Sequence, residues 1–220
     1  MRIIFVSDVH KTYRVPEVNA VEWVISLIDS LRPDALISAG DWDEGVTEGD
    51  FLRIASKTRL VTVYGNHENF AVITKFAVGD GEVMDLGGLK VSGVNGLIGD
   101  GRKIYELPPG KFRGVVRRLK KSVGRLDLFV AHQPPYLPEV YPWAQEDEAG
   151  KLMLCALQEL RPKLFLNGHM SAGCYSYYEL PSGTKYLRVD SSQREKCYAV
   201  LDDNRVVVFR DGEEVFSFPF

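Results

Sequence analysis

Arg2-Ile3-Ile4-Phe5-Val6-Ser7-Asp8-Val9-His10 is the stretch whose reading decides the fold. Four consecutive apolar residues, mostly β-branched, read as a strand buried on both faces, and such strands belong to sheets covered by helices on their faces. The run stops at Ser7-Asp8 and is followed by a polar turn. Apolar residues at Val18, Val21, Ile25 and Ile28, with Val24 and Leu31 beside them, then recur at helical spacing until Arg32-Pro33 ends the helix.

The same grammar repeats downstream. A second buried strand, Ala35 to Ala39, runs into Gly40-Asp41. A short helix near Asp50 to Lys57 precedes a strand from Leu60 to Tyr64, which runs into Gly65-Asn66-His67-Glu68. This βαβαβ order predicts a parallel sheet core. Glu82 to Val94 alternates around Gly87-Gly88 and reads as a hairpin of edge strands. A helix from Lys111 to Val123 leads to a strand from Leu126 to Ala131 ending at His132, and a helix from Glu148 to Leu160 leads to a strand from Lys163 to Asn167 ending at Gly168-His169. Leu31-Arg32-Pro33 and Leu160-Arg161-Pro162 look like one helix-stop-strand joint used twice, without the sustained period of a solenoid. From Tyr186 to Phe220, short alternating runs broken by Asp202-Asp203-Asn204 and Asp211-Gly212 predict antiparallel strands.

The 220 residues allow one substantial core, and no low-complexity linker divides them, so one domain over 1–220 is expected. With 45% hydrophobic and 26% charged residues the composition is that of a soluble globular protein. The amino-terminal stretch meets charge too early to read as a secretion signal, and no apolar run approaches the roughly 18 residues that cross a bilayer. A soluble, cytoplasmic protein is therefore expected. Cys155, Cys174 and Cys197 are odd in number and far apart, and read as small buried apolar residues. A net charge of -3 supplies no global field for nucleic acid.

The chain has four histidines, and each falls just beyond the carboxyl end of a predicted strand: His10, His67, His132 and His169. That edge of an α/β sheet is where loops converge on a ligand crevice. It also receives Asp8, Asp41, Asn66 and Glu68, making a nitrogen and oxygen set suited to manganese, iron, zinc, nickel or cobalt. A lone histidine after a strand is usually a satisfied turn residue, and an aspartate there is often a helix cap. Four histidines arriving together with the acids make that explanation weak for the set.

Asp8-Val9-His10, Gly40-Asp41, Gly65-Asn66-His67-Glu68, His132 and Gly168-His169-Met170-Ser171, in this order, resemble the motifs of the calcineurin-like metallophosphoesterases. The likeness spans about residues 2 to 171, and Ala131-His132-Gln133-Pro134-Pro135-Tyr136 further resembles the Icc-related branch. The resemblance implies a layered α/β sandwich of mixed sheets, with parallel core strands and an antiparallel C-terminal portion. It also implies two divalent metal ions: Asp8 and His10 on the first, Asn66, His132 and His169 on the second, and Asp41 bridging. His67 would then contact the scissile phosphate and assist the leaving group, with Glu68 orienting it.

Two metals ~3.5 to 4 Å apart lower the pKa of a shared water and hold phosphate oxygens for in-line attack. The expected activity is hydrolysis of a small phosphomonoester or phosphodiester. One departure stands out: the family's last histidine, a ligand of the first metal, is Ser171 here. That leaves three states open, a dinuclear enzyme with an open first site, a mononuclear enzyme, or a degenerate module that binds without catalysis.

Secondary signals are weaker. Asp43 is either a further member of the site or a solvated loop acid. Pro138 to Gly150 forms either a pocket wall or the acidic start of the following helix. Arg113, Arg117, Lys120 and Lys121 make a basic stripe that would suit a nuclease and equally suits a solvated helix face. Tyr175 and Tyr177, with Tyr178 beside them, alternate as strand residues packing on a sheet do.

Overall fold

A computed structural model describes residues 1–220. Strands β1 (Ile3–Val6), β2 (Ala35–Ser38) and β3 (Arg59–Thr62) pair in parallel, with Ile3 opposite Ala35 and Ala35 opposite Arg59. Helices α1 (Ala20–Leu31) and α2 (Glu48–Ala55) make the crossovers, α1 following a 3-10 turn at Val15–Asn19. The βαβαβ reading is therefore borne out. Arg32 closes α1 in the left-handed region at φ 47°, because Pro33 disfavours a helical residue before it.

Helix α3 (Phe70–Ile73) leads to a hairpin of β4 (Val83–Leu86) and β5 (Leu89–Val94), turned by Gly87 and Gly88, both at positive φ. Only β4 is an edge strand. β5 lies inside the sheet, because Val91 and Val94 are buried and the strand pairs in parallel with β8 (Leu128–Ala131). Between them lie a small ladder of β6 (Leu97–Ile98) and β7 (Glu106–Leu107) and helix α4 (Pro109–Val123). Helix α5 (Glu148–Leu160) ends at Arg161, again at φ 47° and again before proline, and feeds β9 (Leu164–Asn167), so the repeated joint is real.

Strands β10 (Tyr175–Glu179), β11 (Lys185–Val189), β12 (Cys197–Asp202), β13 (Arg205–Arg210) and β14 (Glu213–Pro219) complete two six-stranded sheets, in the orders β14-β13-β12-β1-β2-β3 and β10-β11-β9-β8-β5-β4. The tail is not wholly antiparallel as expected, since β11 runs parallel to β9. Its last four residues are buried, which requires an interior place in the sheet.

The sheets pack face to face. Ile3, Phe5, Ile37, Leu128, Val130, Leu166 and Leu187 fill the space between them. The opposite faces carry Ile4, Val6 and Leu36 against α1 and α2, and Phe129 and Phe165 against α4 and α5. Each such side chain contributes about 1.5–3 kcal/mol through burial. The result is a mixed α/β sandwich with helices outside both sheets.

The cysteine reading is corrected. Cys174 and Cys197 form a disulfide with Cα atoms 5.4 Å apart, and Cys155 is exposed on α5. The starts of β10 and β12 meet at one edge of the sandwich, a proximity invisible in their sequence separation. No helix is long and apolar enough to cross a membrane.

Candidate metal centre

The loops after β1, β2 and β3 are tied together by their backbones. Asp8 N–H donates to Gly40 O at 2.9 Å, His10 N–H to Asp41 O at 3.0 Å, and Asp43 N–H to His67 O at 2.9 Å. Asp8, His10 and Asp41 sit at φ 55°, 49° and 60°, and His169 at 70°. Left-handed backbone at such residues is costly and persists where surrounding structure imposes it, commonly at functional sites.

Glu68 supplies much of that imposition. Its buried carboxylate accepts from the backbone amides of Asp41 at 2.8 Å, Trp42 at 3.1 Å and Gly65 at 2.9 Å. Burial pushes its pKa up to about 8, against the pull of these amides. Glu68 therefore braces two loops, and its hydrogen bonds do not orient the His67 ring as the resemblance implied. His67 itself donates its N–H to Asp41 Oδ1 at 2.9 Å and presents its ring to the cavity.

Ligand atoms of Asp8, His10 and Asp41 lie within 4.8 Å of one another. His10 Nε2 is 3.6 Å from Asp41 Oδ2, which is 3.3 Å from His132 Nε2. His132 Nε2 is in turn 3.2 Å from His169 Nδ1. His10 and Asp41 come from the first sheet, His132 and His169 from the second. A carbonyl only accepts, so the 2.8 Å contact of His132 Nδ1 with Ala39 O places a proton on Nδ1 and turns Nε2 toward the cluster.

Glycines allow this crowding. A Cβ on Gly65 would collide with Asp41 Oδ1 and lie 2.8 Å from the His132 ring. One on Gly168 would collide with Ser7 Oγ and lie 2.7 Å from Asp8 Oδ2 and 2.9 Å from His132 Nδ1.

The electrostatics are those of a site built for a cation. Burial raises Asp8 to about 6, with the neighbouring Asp41 charge adding to it against His132. Burial would raise Asp41 as well, but His132 holds it well below the usual carboxylate range. Burial would lower His132, yet Asp41 and Asp8 lift it to about 9, and His169 falls to about 4 through burial and the charge on His132. Asn66 Oδ1 and His10 Nδ1 are buried without a hydrogen-bond partner. The donor set and its unpaired Asn66 oxygen fit divalent metal ions.

Ser171 opens into the same cavity of about 340 Å³ as Asp8, His10, Asp41, His67 and His169. Sequence reasoning missed the rest of its lining: Tyr13, Arg14, Glu17, Asp190, Ser192, Arg194 and Glu195. A signal was available for Tyr13-Arg14, which follow the first motif, whereas Asp190 and Ser192 reach the cavity because β11 runs parallel to β9, which packing alone decides. Glu17 is 3% exposed and its Oε2 is unpaired.

Asp43 is buried beside the His67 backbone, with Oδ1 accepting from Glu44 N and Oδ2 unpaired. Asp147 caps α5 by accepting from Gly150 N at 2.6 Å, as the acidic helix start suggested, while Tyr141 is a buried wall residue. Tyr175 and Tyr177 pack on Phe216 at 5.2 and 5.0 Å between centroids. In the basic stripe, Arg113 pairs with Glu148 at 3.8 Å and Lys120 with Glu159 at 3.4 Å. Because β5 and β8 are parallel, α4 runs away from the metal edge, and Lys120 and Lys121 lie at its far end.

Two stacked mixed sheets thus deliver aspartates, an asparagine and histidines to one rim, a donor set suited to divalent metal ions. The chain belongs to the calcineurin-like phosphoesterase family, whose model matches residues 1–172. Comparison with curated proteins gave no match. Among solved structures, the protein TT1561 of Thermus thermophilus is similar at 15% identity and a TM-score of 0.70, covering 95% of this chain and 98% of that one. A dimetal phosphatase of Danio rerio is similar at 11% and 0.59, covering 100% and 98%. A 5'-nucleotidase precursor, also of Thermus thermophilus, is similar at 14% and 0.56, covering 99% of this chain and 53% of that one. At these identities the likeness establishes the fold, and the family match establishes the enzyme class.

Proposed function

We propose that this protein hydrolyses a small phosphoester at a two-metal centre of divalent transition ions such as manganese. Asp8, His10 and Asp41 would hold the first ion, and Asn66, His132 and His169, again with Asp41, the second. The ions, when bound, supply Lewis-acid activation of water and neutralise charge on the phosphate oxygens. The chain supplies the rest. Glu68 and the backbone ladder fix Asp41 between the two ligand groups. His67, exposed on the cavity wall 5.7 Å from the His10 ring, carries the proton for the leaving oxygen.

The observation that carries this reading is the run of contacts from His10 through Asp41 and His132 to His169, joining both sheets. Ser171 leaves the first ion with fewer protein ligands, so weaker affinity is expected there than at the second site. The test strips the protein of metal, resupplies manganese, nickel, cobalt, zinc or magnesium singly, and follows p-nitrophenyl mono- and diesters while counting bound metal. Activity restored by a transition metal and abolished with metal binding in Asp41→Asn is the expected result. Metal bound by folded protein with no turnover of any ester would favour a binding-only site, the state that Ser171 allows.

A further inference from the structure

A second cleft of about 390 Å³ lies beyond His169 and Met170, which line both it and the metal cavity. The two spaces differ in chemistry. Arg14, Glu17, Asp190, Arg194 and Glu195 make the wall of the first strongly charged, whereas the second sets Leu97, Ile98, Tyr105, Pro135, Tyr136 and Tyr141 among polar and charged groups that include Lys103, Glu106 and Asp147.

The second cleft is also rigidly joined to the metal ligands. The Gln133 side chain, next to His132, accepts from Ile98 N at 3.0 Å and donates to Pro134 O at 2.9 Å. Tyr141 and Tyr186 share a hydrogen bond of 2.8 Å, and Tyr186 donates to Asn167 Oδ1 at 2.9 Å. The Asn167 amide then donates to His132 O at 2.8 Å. On the opposite wall, Tyr105 stacks at 6.3 Å on Phe70, three residues after His67. A wall wired this way to both His132 and the His67 loop is preorganised relative to the reacting phosphate.

We propose that this cleft seats the retained arm of a phosphodiester, and that the arm is aromatic or otherwise flat and apolar. The inference rests on the hydrolytic reading above. With His67 serving the leaving oxygen from the metal cavity, the substituent that stays on phosphorus departs past His169, into the cleft. A monoester has only an oxygen to place there and leaves the aromatic wall without a partner. In the reaction, water adds its oxygen to phosphorus, the bond to the leaving oxygen breaks, and that oxygen takes the proton from His67. The water gives up a proton to solvent, His67 regains one from solvent, and the retained ester bond stays intact. The product is a phosphomonoester that still carries the flat arm.

The test compares kcat/KM for phenyl p-nitrophenyl phosphate, methyl p-nitrophenyl phosphate and p-nitrophenyl phosphate in the metal-loaded protein, wild type and Tyr105→Ala. All three release the same leaving group, and a ratio between two esters is insensitive to the fraction of protein folded. The phenyl diester should exceed the methyl diester by about tenfold or more, the scale of apolar pocket discrimination, and the ratio should fall toward one in Tyr105→Ala. Ala144→Phe, which fills the cleft from its other side, should lower the same ratio. A wild-type ratio near one, a ratio untouched by both variants, or a preference for the monoester overturns the cleft assignment and leaves hydrolysis standing. Hydrolysis of none of the three overturns the hydrolytic reading, and this inference with it.

Discussion

His67 enters the site through its backbone, donating to Asp41 Oδ1 and accepting from Asp43 N–H, while its ring faces the cavity. Removing the ring therefore leaves the ladder that shapes the metal ligands. His67→Ala should lower kcat by about a hundred- to ten-thousandfold, the range for a positioned general acid, with bound metal and melting temperature close to wild type. Metal loss equal to that of Asp41→Asn would reverse the two assignments. The histidines and acids were legible because the candidate site residues sit directly after strands. Glu68 was legible in position and not in task, since a carboxylate facing three amides looks in sequence like one facing a ring.

Helix α2 shows what an element borrows from its surroundings. Thr47 accepts from Asp50 N at 3.2 Å and donates its own N–H to Asp50 Oδ2 at 2.8 Å, a capping box with aspartate in place of the usual glutamate. Lys11, next to His10 of the candidate site, bonds the same carboxylate at 2.5 Å. The sequence places the helix start near Asp50, and the structure starts it at Glu48 because the cap is Thr47. Burial pushes Asp50 up, but Lys11 and Thr47 outweigh it and hold its carboxyl below the ordinary value. The folded chain then binds fewer protons here than the unfolded chain, so the contribution is complete above the unfolded carboxylate range and is lost as pH falls through the folded value. Urea midpoints of wild type and Asp50→Asn should differ at neutral pH and converge in strong acid. A difference constant with pH would show that charge at Asp50 contributes nothing.

The whole molecule is two sheets tied together beside the candidate metal site. Ser191 N–H donates to Ser7 O at 2.8 Å, and the Cys174–Cys197 disulfide joins β10 of one sheet to β12 of the other. Its 23-residue separation corresponds to about 3 kcal/mol of stabilisation in the chain-entropy model. Cys174→Ser with Cys197→Ser, or wild type under reductant, should lose about 3 kcal/mol of unfolding free energy and so unfold at a lower denaturant midpoint. Equal midpoints with and without reductant would show that the pair does not clamp the sheets. Gly173 and Glu195, which flank the bridge, also line the metal cavity, so the clamp holds the rim of the site.

Most of the elements, the parallel core and the candidate metal-site residues follow from the sequence alone, because periodicity, proline stops and strand-end polar residues are local features of the chain, whereas α3 and the β6–β7 ladder carry no such signal. The division into two sheets does not follow from the sequence. A strand buried on both faces, such as β1 or β9, carries the same apolar run whichever neighbours it pairs with, so the pattern is silent about sheet membership. For the same reason the interior place of β5, the parallel setting of β11 and the joining of Cys174 to Cys197 were decided only by packing. The aromatic-lined cleft beside His169 is likewise a product of packing, assembled from the β6–β7 segment and the residues before α5, whose proximity exists only in the folded chain.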